Sequence, residues 1–134
     1  MSKAQHLQQG EDAEQACCRF LKQQGLKLVC SNYRCRYGEI DLVMLDGDTL
    51  VFTEVRFRSN TGFGDGLDSI TQAKQEKLRR TAEHYLQHHG YGIARFDVVS
   101  VSKKNQTSRQ RTGFLHSLLG DAACYEFKWV ANAF

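Results

Sequence analysis

The segment GEIDLVML, followed by Asp46-Gly47-Asp48 and TLVFTEVRFR, constrains this chain more than any other part of it. Two runs rich in β-branched and aromatic residues flank a Gly-containing turn, which predicts an antiparallel hairpin over 38–58. Around it the period changes. Residues 11–24, EDAEQACCRFLKQQ, place Ala13, Ala16, Cys17, Phe20 and Leu21 at helical spacing, and Gly25 is a stop. LKLVCSNYR at 26–34 alternates as a strand. A second helix is expected from Ser69 to His89, with Ser69 and Gln72 as a capping box. One face is traced by Ile70, Ala73, Lys77 or Leu78, Thr81, Ala82, Tyr85 and Leu86, and Gly90 closes it. ARFDVVSV at 94–101 and CYEFKW at 124–129 read as strands, 59–67 and 102–113 as loops, and FLHSLL at 114–119 as a short helix. The order α-β-β-β-α-β implies an α/β fold, a mixed central sheet flanked by helices.

With 134 residues the chain fits one domain, 1–134, with a mobile basic loop at 102–113. The formal charge of +3 does not mark a nucleic-acid binder by itself, so that question turns on where the charges sit. No apolar run reaches the roughly 18–20 residues that span a bilayer, and the opening MSKAQHLQQGEDAEQ has no apolar signal core. A cytoplasmic protein without a membrane partner is expected. The five cysteines are odd in number and form no C-x-x-C, so they are read as reduced thiols.

Chemistry centres on Glu39, Asp41 and Glu54, carboxylates in strands that otherwise read as buried. Charges there are costly unless paired or metal-bound. Side chains alternate with period two, so the turn decides which acids meet. If Gly47-Asp48 is the loop, Asp41 lies opposite Glu54; if Asp46-Gly47 is, Glu39 does. Either two-residue turn puts Glu39, Asp41, Glu54 and Arg56 on one face, whereas a three-residue loop breaks that parity. Directly opposed Cβ atoms are about 4.5–5.5 Å apart, so two carboxylates there must share a proton or a cation. Mg²⁺ resolves the conflict, because it takes one or two carboxylates, waters and a substrate phosphate. Arg56 would then face the same phosphate. In the alternative reading Arg56 simply pairs with Glu54 or Glu39.

Glu14 in the first helix, the run Gly38-Glu39-Ile40-Asp41 and the run Glu54-Val55-Arg56-x-Arg58 together resemble the PD-(D/E)XK nuclease superfamily. The longer stretches AEQACCRFL, NYRCRYGEIDL, DGDTLVFTEVRFR, SITQAKQEKL, RFDVVSV and WVANAF are similar to the YraN-like family. These are bacterial proteins predicted to be endonucleases, distantly related to archaeal Holliday-junction resolvases. The resemblance is dense over about residues 10–101. It implies a restriction-endonuclease-like fold, with Asp41, Glu54 and the Val55 carbonyl on Mg²⁺ or Mn²⁺. Glu14 is implied as a helix-borne acid near the metal, and Glu39 belongs to the motif. The chain departs from the superfamily in having Arg56 where Lys is usual. Arginine cannot lose its proton and presents a planar fork, so Arg56 is suited to stabilise a phosphate and not to act as base. Gln72 and Lys74, early in the second helix, either reach the site from another direction or are solvated helix positions.

Basic residues surround the acidic centre: Arg34, Arg36 and Arg58 by the hairpin, and Lys103, Lys104, Arg109 and Arg111 in the polar segment. That distribution suits a site that grips phosphates. Three functions follow from these readings: a Mg²⁺-dependent endonuclease on branched or damaged DNA, a nucleic-acid-binding module of the same fold without turnover, and a protein-interaction scaffold. A junction enzyme is expected to be a homodimer, since it cuts symmetrically related strands.

Overall fold

The computed structural model describes residues 3–58, 70–104 and 125–134, the side chain of His6 excepted. Its elements are α1 (Lys3–Gln23), β1 (Lys27–Cys35), β2 (Gly38–Asp46), β3 (Thr49–Arg58), α2 (Gln72–His89), β4 (Ala94–Lys103) and β5 (Tyr125–Val130). The expected loop at 59–67, the Ser69 cap, the helix at 114–119, Cys124, Arg109 and Arg111 lie outside the described residues.

Five strands form one mixed sheet in the order β1-β2-β3-β4-β5. The pairs β1–β2, β2–β3 and β4–β5 are antiparallel; β3–β4 is parallel and is joined through α2. Helices cover both faces, so the expected mixed α/β architecture is what the chain adopts. One core packs Ala13, Cys17 and Leu21 of α1 on Leu42, Met44, Val51, Val99 and Val101. The other packs Leu78, Ala82 and Tyr85 of α2 on Ile40, Val43 and Phe52. Each fully buried aliphatic or aromatic side chain contributes about 1.5–3 kcal/mol, which makes these two interfaces the main source of stability.

Helix α1 begins at Lys3, eight residues before the expected start at Glu11. Its opening turns are exposed and polar, with Leu7 62% exposed, so they follow helix propensity rather than amphipathic period. It ends as expected at Gly25, whose φ of +100° permits the bonds Gly25 N–H to Lys22 carbonyl and Leu26 N–H to Leu21 carbonyl. Helix α2 starts later than expected. Thr71 caps it, accepting from the Lys74 N–H at 3.1 Å. Strand β4 continues through Ser102 and Lys103, so the expected loop at 102–113 does not include them.

The hairpin turn selects one of the two registers. Asp46 pairs with Thr49, leaving Gly47-Asp48 as the loop, and Gly47 has φ +60° as a glycine-first turn requires. The tail is anchored as firmly as the strands. Phe127 stacks on Phe20 at 4.5 Å, the Ala133 N–H donates to the Phe96 carbonyl, and Phe134 stacks on Phe96 at 4.8 Å. Beneath it Asp97, 1% exposed, accepts from Arg95 Nε, Trp129 Nε1 and the Asn132 N–H. Among the described residues no helix is long and apolar enough to cross a membrane.

Candidate active site

The β2–β3 ladder runs from Asp46↔Thr49 to Leu42↔Thr53. Asp41 and Glu54 come one step beyond that last pair, where the ladder no longer joins the two strands. The Asp41 carboxylate occupies the place where the ladder stops: its Oδ2 accepts from the Val55 N–H at 2.8 Å. A backbone donor that would lose its partner at the end of the ladder is thereby satisfied by a side chain.

Alternation along β2 is interrupted at this point. Ile40 and Val43 both pack in the α2-side core, whereas Leu42 packs in the α1-side core. Strict period two would put Ile40 with Leu42. The reversal has a counterpart in β1, where Asn32 has φ +54° and lies between the pairs Ser31↔Leu42 and Tyr33↔Ile40. Glu39 therefore does not share a face with Glu54, contrary to the parity expected from the turn. It stands instead beside Arg34, whose Nε is 3.3 Å from Glu39 Oε1, and near Glu14 on α1.

Helix α1 brings Glu14 to Asp41. The two carboxyl groups interact directly, each altering the other's ionisation. Burial, then the charge of Asp41, pushes Glu14 up to about 7. Burial and the charge of Asp41 likewise push Glu54 up to about 7, against the pull of Lys74 and Arg56. Asp41 is also raised, chiefly by burial, with the Val55 N–H working the other way. Three carboxyl groups at one end of the sheet thus resist full ionisation together.

Among the described residues the cation paired with Glu54 is Lys74. Its Nζ lies 3.6 Å from Glu54 Oε1, and Glu54 is only 14% exposed. Arg56 acts on Glu54 more weakly, through space. The simple ladder in which Arg56 pairs with Glu54 or Glu39 is replaced by two other pairs, Lys74–Glu54 and Arg34–Glu39. Gln72 stands exposed in the first turn of α2. Arg36 lies over its neighbour Tyr37, 4.8 Å from the ring centroid. In the parallel pair β3–β4, Arg58 is opposite Ser102, so Arg58, Lys103 and Lys104 lie together beyond Arg56 at the same end of the sheet.

Among the described residues no three His, Cys, Asp or Glu side chains are disposed as a ready metal cage. The donor set nevertheless suits a hard cation. It consists of carboxylate oxygens that repel one another, and Mg²⁺ is commonly held by one or two such groups with water and phosphate completing its shell. Cys17, Cys18, Cys30 and Cys35 are free thiols, and burial pushes Cys17 up, away from the thiolate that binds metals.

Sequence reasoning missed Asn32 and left Lys74 between two readings. Asn32 carried a signal, since asparagine is poor in strand interiors and tolerant of left-handed backbone. Lys74 carried none, because its distance to Glu54 depends on how α2 docks.

The family model described as Uncharacterised protein family UPF0102 matches residues 13–101, which hold every acid of this site. The chain belongs to UPF0102. A UPF0102 protein of Methylobacillus flagellatus is 53% identical over 98 residues, covering 73% of this chain and 87% of that protein. One of Nitrosomonas europaea is 46% identical over 126 residues, covering 93% and 92%. One of Pseudomonas putida is 45% identical over 137 residues, covering 100% and 98%. The resemblance to the YraN-like family is borne out at the level of UPF0102 membership.

Proposed function

We propose that this UPF0102 chain is a divalent-cation-dependent endonuclease-like protein acting on phosphodiester bonds of branched or damaged DNA. One observation carries the reading: just past the last β2–β3 pair Asp41 accepts from the N–H of Val55, the neighbour of Glu54, with Glu14 beside Asp41 and Lys74 paired to Glu54. Asp41 and Glu54, with the Val55 carbonyl, would hold Mg²⁺ or Mn²⁺. Such an ion supplies Lewis acidity toward a phosphate oxygen. The protein's own groups do the remainder. Lys74 offers a compact ammonium beside Glu54, where Arg56 offers a permanently charged planar fork. Arg56 offers a fork for two phosphate oxygens. Glu14 carries a proton near neutrality and can exchange it with a reacting oxygen. Arg58, Lys103 and Lys104 continue positive charge along the strand ends, a track for the phosphate backbone. A two-fold dimer would present two such sites to symmetrically related strands.

The experiment is cleavage of labelled junctions, flaps, nicked duplexes and single strands with Mg²⁺ or Mn²⁺. Nicking abolished by Asp41→Asn and by Glu54→Gln supports the reading. Salt-sensitive binding without product under either ion supports instead a binding module without turnover, which Arg56 in the usual lysine position favours. No binding to any of these at low salt supports a protein-interaction scaffold.

A further inference from the structure

We propose that Asn32 is the positioning residue of the acid cluster: its side-chain amide donates to Glu14 and Glu39 together and so holds Glu14 against Asp41. This deepens the cation-site reading above and rests on it.

Three independent features of Asn32 meet. The first is its backbone. At φ +54° it adopts a left-handed conformation inside a strand, which most L-residues avoid and asparagine tolerates. Such conformations persist where surroundings enforce them, often at functional sites. The second is its register. Asn32 lies between Ser31↔Leu42 and Tyr33↔Ile40, which puts its kink opposite Asp41, the residue at which β2 switches faces. The third is its side chain. With the nitrogen of the amide turned toward the acids, it lies 2.8 Å from Glu39 Oε1 and 3.2 Å from Glu14 Oε2. The opposite orientation would aim an oxygen at two carboxylates, so electrostatics fixes the choice.

An NH₂ group has two N–H bonds and here has two acceptors. Glu14 and Glu39 belong to different elements, α1 and β2, and their charges repel. The amide bridges them without adding charge, whereas a lysine would neutralise the pair and compete with a cation. The bridge also stays reachable. Asn32 is exposed and lines an open depression of about 280 Å³ with Glu14, Ser31, Leu42 and Cys18. Removing the amide leaves Glu14 facing Asp41 and Glu39 without the neutral bridge between Glu14 and Glu39.

Asn32→Gly separates this role from a backbone role, because glycine adopts φ +54° freely. The variant is expected to melt at or above the wild-type temperature. Its Mn²⁺ affinity, read from the free-ion paramagnetic resonance signal, is expected to fall at least about tenfold, the scale of one hydrogen bond to a charged group. Unchanged affinity would show that Asn32 serves the backbone alone and overturns the proposal. A wild-type chain that binds no Mn²⁺ overturns the cation-site reading instead. The bridge is then judged in metal-free protein: Glu14→Gln and Glu39→Gln should each displace the Asn32 side-chain amide proton resonances, and resonances that move with neither variant overturn it.

Discussion

The ammonium of Lys74 lies 3.6 Å from the carboxylate of Glu54, joining the first turn of α2 to the far half of β3. Neither residue is brought there by local sequence. The pair makes Lys74 the principal cation at the acid cluster, ahead of Arg56. Lys74→Met keeps the aliphatic stem and removes the charge. Nicking is expected to fall about 10²-fold, the usual loss when a group that stabilises a transition-state charge is removed. Because the lysine side chain is 48% exposed, stability should change by less than about 1 kcal/mol. Comparing single-turnover nicking rates with urea midpoints checks both halves. A nicking rate equal to wild type would return the position to a solvated helix residue.

The raised carboxyl groups give the metal-free protein an inverted pH response. Glu14 and Glu54 titrate near 7 when folded and near 4.5 when unfolded. Between these values the folded chain binds more protons than the unfolded chain, so stability declines as pH rises. His84, whose pKa is lowered by burial and by neighbouring His88, opposes this, since its contribution is lost as pH falls. The two buried acids are expected to dominate. In chelator the melting temperature should drop from pH 5 to pH 8, and Mn²⁺ should restore it at pH 8. Glu54→Gln should flatten the profile. A melting temperature that rises between pH 5 and pH 8 would contradict the coupling.

Asp97 ties β4 to the tail. Its carboxylate is 1% exposed and accepts from Arg95 Nε at 3.0 Å, Trp129 Nε1 at 2.9 Å and the Asn132 N–H at 2.9 Å. Asp97→Ala leaves two buried N–H donors without their acceptor and takes one of two carboxylates from Arg95, which keeps Asp46 at 3.0 Å. A loss of about 3–5 kcal/mol is expected, as for breaking a buried ion pair from one side. Denaturant titration measures it, and a loss below about 1 kcal/mol would mean that the tail is held by Phe127 and Phe134 packing alone.

Basic residues at the strand ends should contribute to affinity and not to sequence choice. Arg58→Ala and Lys103→Ala, alone, are each expected to lower the slope of log affinity against log salt by about 0.9, one phosphate contact per residue. Fluorescence anisotropy with junction DNA at several salt concentrations measures this. An unchanged slope in both variants would move the DNA track away from β3 and β4.

Gly38 tests the bend of the β1–β2 hairpin over α2. It has φ +152°, and a Cβ there would meet Thr81 Oγ1 at 3.2 Å. Thr81 is fully buried and its hydroxyl already donates to the Lys77 carbonyl, so it has little room to yield. Gly38→Ala should cost about 1–2 kcal/mol in denaturant titration, and a neutral result would show that the hairpin tip relaxes freely.

Much of the fold is written in local pattern. Period two over 38–58, the helical face ending at Leu21 and Gly25, and the apolar stripe Leu78, Ala82 and Tyr85 each depend on residues a few places apart. They specify element type, order and buried face, and they led to Asp41 and Glu54 as the centre of the chemistry. Local pattern also left the turn with two two-residue registers and a three-residue alternative, among which the Asp46↔Thr49 pair decides. The polar opening of α1 escaped notice because it buries no face that a period could reveal.

Tertiary structure decided the rest. Where β2 leaves β3 it stays paired with β1 alone, and the kink at Asn32 in β1 turns Glu39 toward Glu14 and away from Glu54. Lys74 reaches Glu54 because α2 packs on Ile40, Val43 and Phe52, a contact between segments far apart in the chain. Periodicity sorts side chains between faces; only the docking of helix on sheet sets which charged tips meet at its edge.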